Sequence, residues 1–196
     1  EQIRQGLENN VDISIYAIPE YNWKQMLEIR AGLENNLDIS FYKKTEYSGH
    51  QMEQIRLGLQ KNLDVSIYAK PEFDEYQMRE IRWGLKDNLD VSIYANPEYN
   101  NSQMQQIRFC LEKKLNVSTY VNPNFTVSQI KQIRYGLKQK LNVSIYAKTE
   151  FDDLQMEEIR LGLKNNLDVS LYANSEIPWQ EMKEIRLKLL EESTQL

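Results

Sequence analysis

Apolar side chains recur along this chain at two different spacings. Between Asp74 and Asn88, Met78, Ile81, Leu85 and Leu89 fall at i, i+3, i+7 and i+11. That is one stripe of an α-helix about fifteen residues long. Asp74 and Gln77 open it with the form of a capping box, in which each side chain satisfies a backbone N–H of the other. The pairs Asn22/Gln25, Ser48/Gln51, Asn100/Gln103, Thr126/Gln129 and Asp152/Gln155 repeat the device. Downstream, Leu89, Val91, Ile93 and Ala95 alternate with Asp90, Ser92 and Tyr94, a period of two.

This second segment admits two conformations. As a strand it would build a leucine-rich-repeat-like β/α horseshoe. As a short helix it would start at Asp90 and stop before Pro97, whose ring pushes Asn96 out of the α region. The slot of Asp90 holds Asp12, Asp38, Asp64, Asp90, Asn116, Asn142 and Asp168 and nothing else. An N-cap selects those two residue types, whereas a strand disfavours both. The helical turn is therefore the favoured reading and the strand its alternative.

Both segments belong to one larger period. Ile-Arg pairs stand in phase at Arg4, Arg30, Arg56, Arg82, Arg108, Arg134, Arg160 and Arg186, 26 residues apart with no insertion. All six methionines share one slot, with Ile130 in the remaining copy, and Tyr16, Tyr42, Tyr68, Tyr94, Tyr120, Tyr146 and Tyr172 share another. One such unit cannot bury its apolar face alone, so stacked neighbours must complete the core. The expected fold is all-α: an α-solenoid of 26-residue repeats, each a long capped helix plus a short helical turn, in a single array over 1–196.

Gly6, Gly32, Gly58, Gly84, Gly136 and Gly162 sit inside the long helices, where glycine costs roughly 1 kcal/mol against alanine. Their recurrence predicts close approach by an adjacent helix or backbone. Cys110 fills this slot once and Lys188 fills it in the last copy, where no further unit is expected to pack. Beyond Leu189 the pattern dissolves, so the array is expected to finish there. At Glu1 it begins inside a helix, so a truncated N-terminal end is expected.

The string Gln155 to Ala173, QMEEIRLGLKNNLDVSLYA, resembles tandem repeats of large plasmid- and phage-associated proteins of Gram-positive gut bacteria. The resemblance covers every repeat. It implies a mobile-element context, in which some proteins counter host defences by binding, and it implies no activity.

Composition narrows the function classes. The net charge of -5 gives no general electrostatic support for binding nucleic acid or anionic membrane. One cysteine and one histidine, His50, exclude an intrachain disulfide, a multi-Cys zinc site and His-based triads. No apolar run approaches the roughly 18 residues that span a bilayer, and no signal peptide opens the chain. The single thiol suits a reducing compartment such as the cytoplasm. No Gly-rich phosphate loop or metal-ligand spacing occurs, so neither cofactor nor catalytic residue is expected. Ser92 and its equivalents lack a base and read as local hydrogen bonders.

Two sets of residues remain as binding candidates. The arginines Arg30, Arg56, Arg82, Arg108, Arg134 and Arg160 lie at the edge of the core stripe. They read as an internal ladder, pairing with Glu20, Glu46, Glu72, Glu98, Glu150 and Glu176 or stacking on the tyrosine slot. Alternatively they form a phosphate grip, which would make the protein a nucleic-acid-binding solenoid. The slot after each arginine holds Leu57, Trp83, Phe109, Tyr135 and Leu161, with Tyr76 and Leu154 pointing the same way. These form either an exposed stripe suited to a protein partner, rimmed by Leu27, Glu53, Arg79, Gln105, Lys131 and Glu157, or a second core layer under the short helices. The function expected is a non-catalytic protein-binding scaffold, with the nucleic-acid binder and a structural spacer as alternatives.

Overall fold

The computed structural model describes residues 1–194 and is an all-α solenoid; Gln195 and Leu196, counted in the expected array, lie outside the described residues. Eight long helices follow one another: α1 (Gln2–Glu8), α2 (Trp23–Glu34), α3 (Gly49–Leu59), α4 (Glu75–Lys86), α5 (Asn101–Glu112), α6 (Val127–Lys138), α7 (Asp153–Lys164) and α8 (Trp179–Thr194). No strand occurs among the described residues, which removes the horseshoe alternative. The chain divides into two compact units, Glu1–Met104 and Gln105–Leu196. In the first, α1 to α4 pack in series; in the second, α6 to α8 do so.

The LDVSIYA segments are single 3₁₀ turns: Ile13–Ile15, Ile39–Phe41, Val65–Ile67, Val91–Ile93, Val143–Ile145 and Val169–Leu171. Their brevity explains the ambiguous pattern, because three residues are too few to show a helical period. The cap slot works as its composition requires. Asp90 Oδ1 accepts from the Ser92 N–H at 3.1 Å and from the Ser92 hydroxyl at 2.5 Å. The recurrent serines are thus partners of the caps. The long helices open on the expected boxes, and at Asp74 both reciprocal arms are present. They run 11 or 12 residues in α2 to α7, shorter than the expected fifteen. After each, one residue turns left-handed: Asn10, Asn36, Asn62, Asn88, Lys114, Lys140 and Asn166, with φ between 53° and 58°. Asparagine tolerates that region better than other L-residues, and it lets the Leu89 N–H reach back to the Gly84 carbonyl at 2.9 Å.

The core runs along the stacked inner faces. Met52, Met78, Met104, Ile130, Met156 and Met182 are fully buried, as are the isoleucines before the arginines in α2 to α7. The glycines serve a different purpose from the expected approach of helix or backbone. A β-carbon on Gly58 would lie 1.9 Å from Tyr68 Oη, and the same distance recurs in every other 26-residue copy with this glycine. Each glycine is the floor of a slot for the tyrosine of the following 3₁₀ turn. Tyr68 fills it completely and donates its hydroxyl to the Gln54 carbonyl at 3.2 Å.

Copy five breaks the rule. Cys110 occupies the glycine position and is fully buried, and Tyr120 alone of the seven tyrosines is not. In the other copies a β-carbon at this position would stand 1.9 Å from the tyrosine hydroxyl, so a cysteine here and a tyrosine in the slot compete for space. Residues 118–120 form a turn, and no 3₁₀ helix occurs at 117–119. Burial pushes the Cys110 thiol up to about 12, with Arg134 opposing the shift, which leaves it inert as a nucleophile.

Candidate partner-binding surface

The polar slots divide into those that hold repeat to repeat and those that face out. The capping-box glutamines belong to the first group. Gln77 Oε1 accepts from the Asp74 N–H at 2.8 Å while its Nε2 donates to the carbonyls of Tyr99 and Pro97, at 2.5 and 3.0 Å, in the following repeat. Gln25, Gln51, Gln129 and Gln155 donate in the same way to residues 20 and 22 positions on. A glutamate could accept in the box but could not donate onward when ionised. The sequence carries that signal: the slot is Gln in every copy from Gln25 to Gln155, and becomes Glu181 only in α8.

The arginines also bridge repeats, through partners other than those expected. Arg56 Nε donates to Glu28 at 2.7 Å, Arg82 to Gln54 at 3.2 Å, Arg160 to Gln132 at 2.8 Å and Arg186 to Glu158 at 2.6 Å. Arg30 does the same with Gln2 at 3.0 Å. The acceptor lies 28 residues earlier, in a slot holding only Gln or Glu. Arg108 is buried on α5 and pairs with Glu112. At the sixth rung Arg134 Nε and Gln106 Oε1, the pair the pattern would join, are buried and each lacks a hydrogen bond. Glu20 and its equivalents do not pair with the arginines, while the charges of Arg56, Arg82, Arg160 and Arg186 lie close enough to Tyr42, Tyr68, Tyr146 and Tyr172 to oppose the rise of those phenols. All of the arginines in this slot from Arg30 to Arg186 except Arg134 spend at least one donor on a neighbouring side chain, which leaves less of each guanidinium for a phosphate.

Guanidiniums do stack on the variable outer stripe, that of the rim residue Arg79 in the first unit and those of ladder arginines in the second. In the first unit Arg79 lies 5.2 Å from the Tyr76 ring centre and 4.9 Å from that of Trp83. In the second, Arg108 lies 5.0 Å from Phe109, while Arg134 and Arg160 lie 5.0 and 5.6 Å from Tyr135. Such contacts contribute about 0.5–1 kcal/mol at exposed sites. Leu57, Trp83, Phe109 and Leu161 are half-buried. Tyr76, Tyr135 and Leu154 remain exposed, at 50, 40 and 40%.

The stripe is therefore no second core layer under the 3₁₀ turns, which dock on the glycine side of each helix. It is an outward face whose rings partly cover arginines. Of the expected rim, Leu27, Glu53, Arg79, Gln105, Lys131 and Glu157 are all half-buried beside it.

Between α3 and α4 a shallow cleft is lined by His50, Gln54, Glu75, Tyr76 and Arg79, which puts the single histidine on this outer face. Among the described residues no group of His, Cys, Asp and Glu is arranged to hold a metal ion, and no helix is long and apolar enough to cross a membrane. No protein-family model, curated protein or solved structure matches this chain.

Proposed function

We propose that this array is a non-catalytic scaffold that binds a protein through the outer faces of its long helices. The observation that carries the reading is a division of labour between slots. The near-invariant Gln and most Arg positions bridge neighbouring repeats and the Gly and Tyr positions join each helix to its own 3₁₀ turn, while the slot of Leu57, Trp83, Phe109, Tyr135 and Leu161 varies and stays half-buried or exposed. Clustered aromatic side chains that combine exposure with fixed rotamers suit a protein interface. The resemblance to repeats of plasmid- and phage-associated proteins extends the proposal to a host or phage protein as the partner. A reducing, cytoplasmic setting agrees with the one buried free thiol.

The test uses Tyr76→Glu combined with Leu154→Glu, two exposed positions at the starts of α4 and α7 that make none of the inter-repeat hydrogen bonds. Affinity capture from the native host, followed by mass spectrometry, should lose the partner, and helical circular dichroism should stay unchanged. A partner captured equally well by the variant would overturn the assignment of this face.

A further inference from the structure

The net charge of -5 conceals a segregation. From Arg108 to Lys148 the chain carries eight basic residues against one acidic residue, Glu112. This stretch covers most of copies five and six. Its residues depart from the repeat pattern in one direction. The cap slot, aspartate in the other five copies, holds Asn116 and Asn142, and Asn124 occupies the slot held elsewhere by Glu20, Glu46, Glu72, Glu98, Glu150 and Glu176. The left-handed position, asparagine in the other five copies, holds Lys114 and Lys140 at φ 56° and 58°.

These departures are unfavourable to the fold. A lysine has no side-chain bond to offset the left-handed backbone, which costs an ordinary L-residue about 1–2 kcal/mol. Asn142 makes no side-chain cap bond to a backbone N–H, whereas Asp168 accepts one from Ser170 at 3.1 Å. Helix dipoles do not explain the lysines either. Every long helix presents the same carbonyl end, yet the matching pairs elsewhere include Asn9-Asn10, Asn35-Asn36 and Asn165-Asn166. Positions that give up conformational preference and gain positive charge are explained by an external anion.

The surroundings identify its class. Lys113, Lys114, Lys138 and Lys140 are all exposed at the C-terminal ends of α5 and α6. One helical turn earlier on the same faces lie Phe109 and Tyr135, at i-4 to Lys113 and i-3 to Lys138. Each of the two repeats thus offers an aromatic ring and, one turn away, a pair of exposed cations. We infer that copies five and six depart from the protein-binding reading of the rest of the outer stripe and bind single-stranded nucleic acid, the lysines meeting successive phosphates and the rings stacking on unpaired bases. Lysine suits phosphates as a point charge, and rings accept any base, so the binding is independent of sequence. A duplex keeps its bases stacked inside and cannot use the rings.

The experiment is fluorescence anisotropy of a labelled oligothymidylate about 16 nucleotides long, titrated with the full chain from about 50 to 200 mM salt. Four lysine–phosphate contacts predict a log–log salt slope of about -3. The double variant Lys114→Asn, Lys140→Asn restores the residue that five other repeats use, so it folds at least as well as the parent. It should weaken binding tenfold or more at about 50 mM salt and flatten the slope by about 1.4. Tyr135→Ser should weaken oligothymidylate binding several-fold with little change in slope. Absence of binding, or binding indifferent to the two lysines, overturns the inference. So does equal affinity for polyglutamate or for anionic phosphatidylserine vesicles together with indifference to Tyr135→Ser, which would mark an acidic protein or a membrane surface as the partner.

Discussion

Replacing glycine by alanine inside an exposed helix ordinarily stabilises it by about 1 kcal/mol. At Gly58 the opposite sign is expected. The new methyl would stand 1.9 Å from Tyr68 Oη and 2.8 Å from Val65 Cγ1, so the ring must leave its slot. Losing a fully buried large side chain costs about 1.5–3 kcal/mol, and losing the hydroxyl's bond to the Gln54 carbonyl costs about 1 more. Helix propensity returns about 1. The expected net destabilisation is about 1.5–3 kcal/mol, read as a lower urea midpoint. Because the tightest contact is with the hydroxyl, Gly58→Ala should cost at least about 1 kcal/mol less in a Tyr68→Phe background, a coupling measurable by a double-mutant cycle. Copy five supplies the reverse case. Cys110→Gly opens a slot for Tyr120 and should slow hydrogen exchange across residues 117–121. A stabilising Gly58→Ala, or strict additivity with Tyr68→Phe, would refute the slot mechanism.

Two further outcomes follow from the inter-repeat bonds and the buried phenols. Gln77→Glu removes the donor to Tyr99 and Pro97 and points a carboxylate at two carbonyls. It should destabilise by about 2–3 kcal/mol at neutral pH. Lowering the pH toward 4 should return part of that loss relative to wild type, since a protonated carboxyl regains one donor. Burial raises the phenols of Tyr42, Tyr68 and Tyr146 and pushes Tyr172 up to about 12. The fold favours their neutral form, so this contribution is whole below pH about 10 and is lost as pH rises through the folded-state values. Stability should fall by up to about 1.4 kcal/mol per pH unit for each such tyrosine. Helical signal that survives well past phenolate formation in absorbance would contradict the burial.

Much of the fold was legible because its signals are local. Asp74 with Gln77 announces a helix start within four residues, and a slot confined to Asp and Asn announces the cap of the next turn. What the sequence withheld depends on neighbours. That Gln25 and its equivalents donate across to carbonyls 20 and 22 residues on requires the register of two stacked repeats. So does the Arg56–Glu28 rung, whose partner sits in a slot mixing Gln with Glu and so shows no constant charge. The outer stripe, read as either exposed or core, is half-covered by guanidiniums, an outcome that a two-way choice between surface and interior leaves out. The basic stretch of copies five and six was fully visible in the composition of those copies. A whole-chain net charge averages it away, and only the φ values of Lys114 and Lys140 reveal that it was acquired against local preference.

The glutamine clamp has a consequence for how such a chain can change over time. Its targets are main-chain carbonyls, which every residue possesses, and the arginine rung accepts either a carboxylate or an amide. Any copy can therefore sit beside any other without a matched partner. A whole 26-residue unit can be duplicated, deleted or exchanged by recombination, and each new junction offers the glutamine clamp the same main-chain carbonyls. The outward residues travel with their unit as a cassette, so a lineage can reshuffle what it presents while the joints stay untouched.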